Sequence, residues 1–269
     1  MKHIVSFSGG KDSTAMLLHM IELGYPIDEV LNCDTGLEFP AMYDHIAKVK
    51  KVVEDNGIKF TILKSVRSFE YLAFDYEYTS SKTGIYHKGY GWARGGSRWC
   101  TALLKTKLIR AYKKQFKKEG ILDYVGLAAD EQYRLERESN KLPNLVYPLV
   151  EWRWAEKDAL QYCYDKGYDF GGLYKIFDRV SCWCCPLQKL SELRKLYENY
   201  PELWEKLKEW EPRTDMPFKD GWTLRRLEER FKLEQDYERL GLEVNPHSKK
   251  FRAALHERLT ELPPLWTLE

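Results

Sequence analysis

The sequence predicts an α/β domain, a parallel sheet with helices on both faces, followed by a helical C-terminal region. Three observations carry that prediction. Short apolar runs alternate with helically spaced apolar residues through the first half of the chain. A glycine turn, Ser6-Phe7-Ser8-Gly9-Gly10-Lys11-Asp12-Ser13, joins the first such run to the first helix. Beyond about residue 170 the strand pattern stops, and helical pieces follow, bounded by Pro186, Pro201 and Pro212.

Taken in order, His3 to Phe7 reads as the first strand and Lys11 to Leu23 as the first helix. Glu29 to Cys33 is an apolar run leaving through Asp34-Thr35-Gly36, hence a second strand and its exit loop. Pro40 through Asp55 places Met42, Ile46, Val49, Val52 and Val53 at helical spacing. Lys59 to Leu63 reads as a third strand. Thr101 to Lys118 reads as one helix with Leu104, Leu108, Ile109, Tyr112 and Phe116 on its apolar side. Leu122 to Leu127 and Val146 to Leu149 are the remaining strand candidates. Between Tyr76 and Trp99 the periodicity breaks into a Tyr-, Ser-, Gly- and Lys-rich stretch, expected to be a long substrate-covering loop; His87 within it is the histidine tied to substrate. Arg225 to Leu240 reads as an amphipathic surface helix. The expected division is a nucleotide-binding domain over residues 1–175 and a cysteine-bearing, helical region over 176–269.

Composition bounds the function. Charged residues make up 31% of the 269, mean hydropathy is −0.57, and no apolar run is long enough to span a bilayer. The amino terminus runs directly into the first strand, so no signal peptide is expected, and a cytoplasmic protein with reduced thiols is. A net charge of +2 excludes a general polyanion binder. Basic charge is nonetheless concentrated locally. Lys105, Lys107, Arg110, Lys113, Lys114, Lys117 and Lys118 fall on one expected helix, as a solvated face or a nucleic-acid contact.

The glycine turn carries the chemistry. A strand-to-helix turn aims free backbone N–H groups and the positive end of a helix dipole at one point, and two glycines let the backbone close on an anion. Ser6, Ser8 and Ser13 add hydroxyls, and Lys11 adds a mobile positive charge. Asp12 would repel a phosphate unless a cation bridged them, which points to Mg²⁺. The spacing is not that of the Walker A loop. It resembles the SGGxDS loop of the N-type ATP pyrophosphatases, the PP-loop enzymes, which split ATP between the α- and β-phosphates and hold the pyrophosphate.

Three further stretches resemble the phosphoadenylyl sulfate reductase branch of that superfamily. They are Asp34-Thr35-Gly36-Leu37-Glu38-Phe39-Pro40; Arg98-Trp99-Cys100-Thr101 with Leu104-Lys105; and Gly126-Leu127-Ala128-Ala129-Asp130-Glu131 with Arg134, then Tyr147-Pro148-Leu149. The resemblance covers roughly residues 1 to 190. It implies a Rossmann-like, adenine nucleotide alpha hydrolase-like fold with an adenine nucleotide across the strand ends. Asp34 would lie near the nucleotide, and Arg98, Lys105 and Arg134 would face its phosphates or the substrate; Gly126 falls at the same strand ends. Two departures stand out. The assimilatory reductases end in Glu-Cys-Gly-Leu/Ile-His, whereas no cysteine follows Cys185 and the tail is Pro263-Pro264-Leu265-Trp266. They also carry arginine where Ala128 stands, and they degrade the glycine loop that is intact here. Both departures favour an ATP-cleaving relative, such as the tRNA thiolases and DNA phosphorothioation enzymes.

Ser181-Cys182-Trp183-Cys184-Cys185-Pro186 is the second strong pattern. A Cys-x-x-Cys closed by proline can chelate a metal. Cys100, Cys182, Cys184 and Cys185 form the candidate set, for a 4Fe–4S cluster or alternatively zinc. Cys100, at an expected helix start, is also a candidate for catalysis with Lys11 and Asp12. Cys33 and Cys163 are expected to be packing residues. The leading expectation is adenylation of a substrate by ATP–Mg²⁺ with release of pyrophosphate, followed by sulfur transfer from a donor protein to tRNA, DNA or a small molecule. The alternatives are an adenylyl sulfate reductase with a nonstandard thiol, and a zinc-stabilised nucleotide- or nucleic-acid-binding protein without turnover.

Overall fold

The structure, a computed structural model, describes residues 1–137 and 141–262. The tail Pro263–Trp266 lies outside the described residues. The chain opens with β1 (Lys2–Phe7), α1 (Lys11–Glu22), β2 (Glu29–Asp34), α2 (Pro40–Asp55) and β3 (Lys59–Lys64). A hairpin of β4 (Glu77–Thr79) and β5 (Tyr86–Lys88) follows, then α3 (Trp99–Thr101) and α4 (Lys107–Lys113). After these come β6 (Ile121–Val125), α5 (Gln132–Leu135), β7 (Leu145–Val146), α6 (Pro148–Glu151), α7 (Glu156–Asp165) and α8 (Leu173–Ile176). The rest is helical: α9 (Leu190–Asn199), α10 (Pro201–Trp210), α11 (Leu224–Arg239) and α12 (Lys249–Thr260). Among the described residues, no helix is long and apolar enough to cross a membrane.

Residues group into two compact units, Met1–Phe69 with Cys100–Cys182, and Glu70–Trp99 with Trp183–Glu269. The first unit is Rossmann-like. Its five-stranded sheet runs β3-β2-β1-β6-β7, and every pairing is parallel. Parallel strands are covered on both faces, so their sequences read as apolar runs. Ile4, Val5, Val30 and Leu31 are accordingly buried, against Ala15, Leu17, Val49 and Val53 of the flanking helices. Strand order reverses direction at β1, between β2 and β6. In such sheets the crevice for a ligand opens at the carboxyl ends of the strands at that reversal.

Two local features differ from the sequence reading. The stretch expected to be one helix over Thr101 to Lys118 is broken: a five-residue π turn, Ala102–Thr106, separates α3 from α4, and Lys114–Phe116 ends as a 3-10 turn. Two of its seven basic residues also turn inward rather than into solvent. Lys113 pairs with Asp123, and Lys105 stands 3.8 Å from Glu38. The other difference is Val146 to Leu149, where the strand is only Leu145–Val146 and Pro148 starts α6. Proline lacks a ladder donor and is suited to the first turn of a helix.

The second unit is held by aromatic packing. Trp92 lies edge-on to Phe218 at 4.9 Å and to Phe74 at 5.3 Å, and Trp183 stacks on Trp210 at 5.3 Å. Arg94 donates to the carbonyl of Phe218 at 3.0 Å, fixing the loop after Trp92 on the segment before α11. Thr223 and Ser248 cap α11 and α12, accepting from Arg226 and Phe251 N–H respectively. Residues Tyr76 to Trp99, expected as an irregular loop, contain the antiparallel β4–β5 hairpin, too short to show a strand period in sequence.

Candidate active site

The glycine turn sits at the sheet reversal. Gly9 has φ +84°, which a side chain resists, and a Cβ there would meet Ile46 Cγ1 of α2 at 3.0 Å. Ser13 Oγ donates to the Gly10 carbonyl at 3.0 Å and lies 3.0 Å from Ser8 Oγ, folding the turn on itself. Helix α2 supports it from behind: Thr14 Oγ1 lies 3.0 Å from His45 Nε2. Burial pushes His45 down to about 4, so it is neutral at pH 7. The Lys11 N–H donates to the Tyr174 hydroxyl at 2.9 Å. Gly126, just after β6, closes the other side. A Cβ there would stand 2.7 Å from Ser13 Cα and N and 2.9 Å from Asp12 C, so the start of α1 and the end of β6 approach each other only because this residue is glycine.

Around the turn opens a cleft of about 290 Å³, lined by Ser8, Gly10, Lys11, Asp12, Ser13, Gly126, Glu131, Tyr133, Arg134, Glu156, Tyr174, Arg179 and Val180. Six of these are charged, three of each sign. Lys11, only 8% exposed, reaches Glu156 Oε2 at 2.5 Å and Asp12 Oδ2 at 3.2 Å. Burial pulls the Lys11 ammonium down, but Asp12 and Glu156 outweigh it and hold it above its ordinary value. Asp12 moves the other way: burial pushes it up to about 6, against the pull of Lys11. Its Oδ1 is buried with no hydrogen-bond partner. Arg134 Nη1 donates to both carboxylate oxygens of Glu131, at 2.7 and 2.8 Å.

Asp12 carries a prediction about stability. A carboxyl whose folded pKa is raised contributes stability below its unfolded pKa and loses it as pH climbs through the folded value. Stability of the wild type relative to Asp12→Asn should therefore fall between about pH 4 and pH 6. At pH 7 the variant should be the more stable, by on the order of 2–3 kcal/mol at about 1.4 kcal/mol per unit. Urea melts of both proteins at pH 4 and pH 7 check this; equal differences at the two pH values would refute it.

A second hollow, of about 60 Å³, lies beyond the end of β2 and is lined by Ser8, Asn32, Cys33, Asp34, Glu38, Tyr43, Ile46 and Ile62. Asp34 accepts from Gly36 N–H at 2.8 Å and from Tyr43 Oη at 3.2 Å, and pairs with Lys64 at 2.8 Å. Burial pushes Asp34 up, yet these bonds hold it below its usual range. Beside the hollow, Cys182 Sγ stands 3.9 Å from Glu38 Oε1. Burial pulls the Lys105 ammonium down, and Cys182, Glu38, Cys33 and Cys100, in that order, raise it above its ordinary value.

The structure thus brings Ser8, Gly9, Gly10, Lys11, Asp12, Ser13, Gly126 and Arg134 together, with Asp34 and Lys105 at the neighbouring hollow. Ser6 is placed differently: its hydroxyl donates to Asp123 at 2.7 Å and receives from Lys113 at 3.3 Å. Arg98, exposed, belongs to the second unit. Of the four candidate metal cysteines, Cys100 and Cys182 lie in the first unit and Cys184 and Cys185 in the second. Among the described residues, no group of three or more His, Cys, Asp or Glu is placed to hold a metal ion. In the first unit, Cys100 and Cys182 instead face the Lys105 ammonium, a charge of the same sign as a metal cation. Sequence reasoning missed Glu156, Tyr174 and Arg179, ordinary residues brought to the cleft only by the fold. Cys33, expected to be a packing residue, is half-buried and lines the hollow beyond β2, and burial raises its thiol pKa.

The phosphoadenosine phosphosulfate reductase domain family model matches residues 2–188. The chain belongs to that family. Two proteins of Methanocaldococcus jannaschii resemble it, one 32% identical over 75% of this chain and 45% of its own length, the other 28% identical over 77% and 40%. The chain thus spans less than half the length of these curated relatives. Among solved structures, the phosphoadenylyl-sulfate reductase of Candida auris, in a phosphate complex, covers 68% of this chain and 82% of its own at 17% identity and TM-score 0.43. The tRNA thiolase NcsA of Methanococcus maripaludis, solved with its 4Fe–4S cluster, covers 100% and 83% at 16% identity and TM-score 0.41. In this chain the intact glycine loop lies at the reversal of strand order.

Proposed function

We propose that this protein cleaves ATP between its α- and β-phosphates and transfers AMP to an acceptor oxygen, activating it for sulfur transfer. The observation that carries this reading is Lys11: a buried ammonium at the start of α1, inside an intact glycine loop that opens on a polar cleft. The β- and γ-phosphates occupy the Ser8–Ser13 turn. There, the free N–H groups of the helix start and the Lys11 ammonium stabilise charge developing on the departing pyrophosphate. The acceptor oxygen forms a bond to the α-phosphorus as the bond to the β-bridging oxygen breaks, and pyrophosphate leaves with that electron pair. Arg134 and Arg179 line the cleft wall and would meet phosphate oxygens there.

The orphaned Oδ1 of Asp12 fits a divalent cation, with Glu156 as the neighbouring carboxylate. Bound Mg²⁺ supplies neutralisation of the triphosphate. The thiols around Lys105 support a sulfur role for Cys100 and Cys182 in the second step: a persulfide on one of them, loaded from the donor, bonds through its outer sulfur to the adenylated carbon as AMP leaves, and an external thiol then reduces the resulting disulfide, releasing the thiolated product and the cysteine. The acceptor is a nucleic acid or a small molecule; the sulfur comes from a persulfide-bearing donor. A cytoplasmic site suits thiols kept reduced.

The test is the fate of ATP labelled at the α-phosphate. Label in AMP or in an adenylated acceptor, with stoichiometric pyrophosphate, is the expected result. ADP and orthophosphate as products would overturn the reading. Sulfite formed from adenylyl sulfate with a thiol donor would establish the reductase alternative.

A further inference from the structure

The β4–β5 hairpin of the second unit carries a row of aromatic rings on one face. Its register pairs Glu77 with Lys88, Tyr78 with His87 and Thr79 with Tyr86. Side chains alternate across a strand, so Tyr76, Tyr78 and His87 share one face, and Glu77, Tyr86 and Lys88 the other. On the first face the rings run in series. Tyr76 stacks on Tyr78 at 5.9 Å, Tyr78 on His87 at 5.0 Å, and Tyr90 lies 4.8 Å from Tyr78 and stacks on Trp99 at 5.2 Å. Trp99 is buried, and the other four are half-buried.

Charge singles out the same stretch. The protein holds 43 basic and 41 acidic residues, yet positions 78–118 contain eleven Lys and Arg and no Asp or Glu. In the hairpin and the loop after it, Lys82, Lys88 and Arg98 are exposed, whereas Arg94 is committed to the Pro217 and Phe218 carbonyls and Asp220. An apolar protein partner would find cations in its way, and an acidic peptide would leave the ring faces unused. A single-stranded polynucleotide uses both, stacking bases on rings while its phosphates meet the cations. Exposed Ser81 and Thr83 in the turn add hydroxyls that both donate and accept, matching a ribose 2′-hydroxyl.

We propose that this face of the hairpin is a stacking platform for a single-stranded segment of RNA. The inference rests on the adenylation reading only in making that RNA the acceptor; binding itself stands apart from ATP cleavage.

Fluorescence anisotropy of the full chain with a short labelled single-stranded RNA tests it. Tyr78→Leu, which keeps apolar bulk and removes the ring, should weaken binding about tenfold, while Tyr78→Phe should bind as the wild type does. Lys82→Ala, in the exposed turn, should lower the slope of log K against log salt by about 0.7, whereas Lys88→Ala, on the opposite face across from Glu77, should leave it unchanged. Lys82→Ala carries the test alone if Tyr78→Leu melts early. Unchanged affinity in Tyr78→Leu, an unchanged slope in Lys82→Ala, or tighter binding of DNA of the same sequence would each overturn the proposal. ATP binding measured without RNA should be unaltered in the hairpin variants, and RNA binding unaltered in Lys11→Ala. Loss of the platform and failure of the ATP reading therefore give opposite patterns.

Discussion

Lys11→Ala is expected to cut ATP-dependent pyrophosphate release about 10³-fold, roughly 4 kcal/mol of transition-state stabilisation. The magnitude follows from where the ammonium sits. At 8% exposure it acts in a medium that screens poorly, so its attraction for developing phosphate charge is several times its worth in water. Its removal also leaves Asp12 and Glu156, both within bonding reach of Nζ in the wild type, facing the cleft without a counter-charge. The triphosphate then meets an acidic wall, and KM should rise as kcat falls. Release measured with a coupled pyrophosphatase assay under saturating ATP separates the two effects. A variant that releases pyrophosphate at the wild-type rate would remove the loop from the mechanism.

Gly126→Ala should destabilise the first unit by about 3 kcal/mol and abolish nucleotide binding. The added methyl would press on backbone, at 2.7 Å from Ser13 N and Cα, and backbone at the first turn of a helix cannot swing aside as a flexible side chain can. Relief requires α1 to move off the end of β6, which carries the donors of the loop away from the cleft. Gly95→Ala, where a Cβ meets nothing within 4 Å, serves as the control and should be near neutral. Thermal melts and nucleotide titration of both variants check the pair. A Gly126→Ala protein that binds ATP normally would show that the close approach is not required.

The sheet and its loop were legible because their causes are local. Apolar runs, a proline at the start of α2 and a glycine turn each act over a few residues, and Pro40–Asp55 matches the expected helix end for end. The loop's place between β1 and α1 was legible for the same reason. What the sequence hid depends on distant chain. Glu156 opens an unremarkable helix and meets Lys11 only because α7 packs on α1; Tyr174 reaches the Lys11 N–H across 163 positions. A basic run has no marker for the two members, Lys105 and Lys113, that meet the carboxylates of Glu38 and Asp123. The hairpin was lost to its brevity: three-residue strands leave no period to detect, and their pairing is decided by rings meeting across the ribbon.

The even division of charge in the cleft makes it a filter. Three cations and three carboxylates leave the empty site close to electroneutral, with Lys11 already matched by Glu156. A free orthophosphate or sulfate ion must strip that carboxylate from its partner and brings nothing to compensate it, so simple anions are weak competitors. On the adenylation proposal, a triphosphate arriving with its own divalent cation would exchange partners instead, its oxygens meeting the ammonium and Asp12 and Glu156 the cation. Ionic strength set by monovalent salt should accordingly disturb occupancy little, whereas withdrawal of the divalent cation should empty the site.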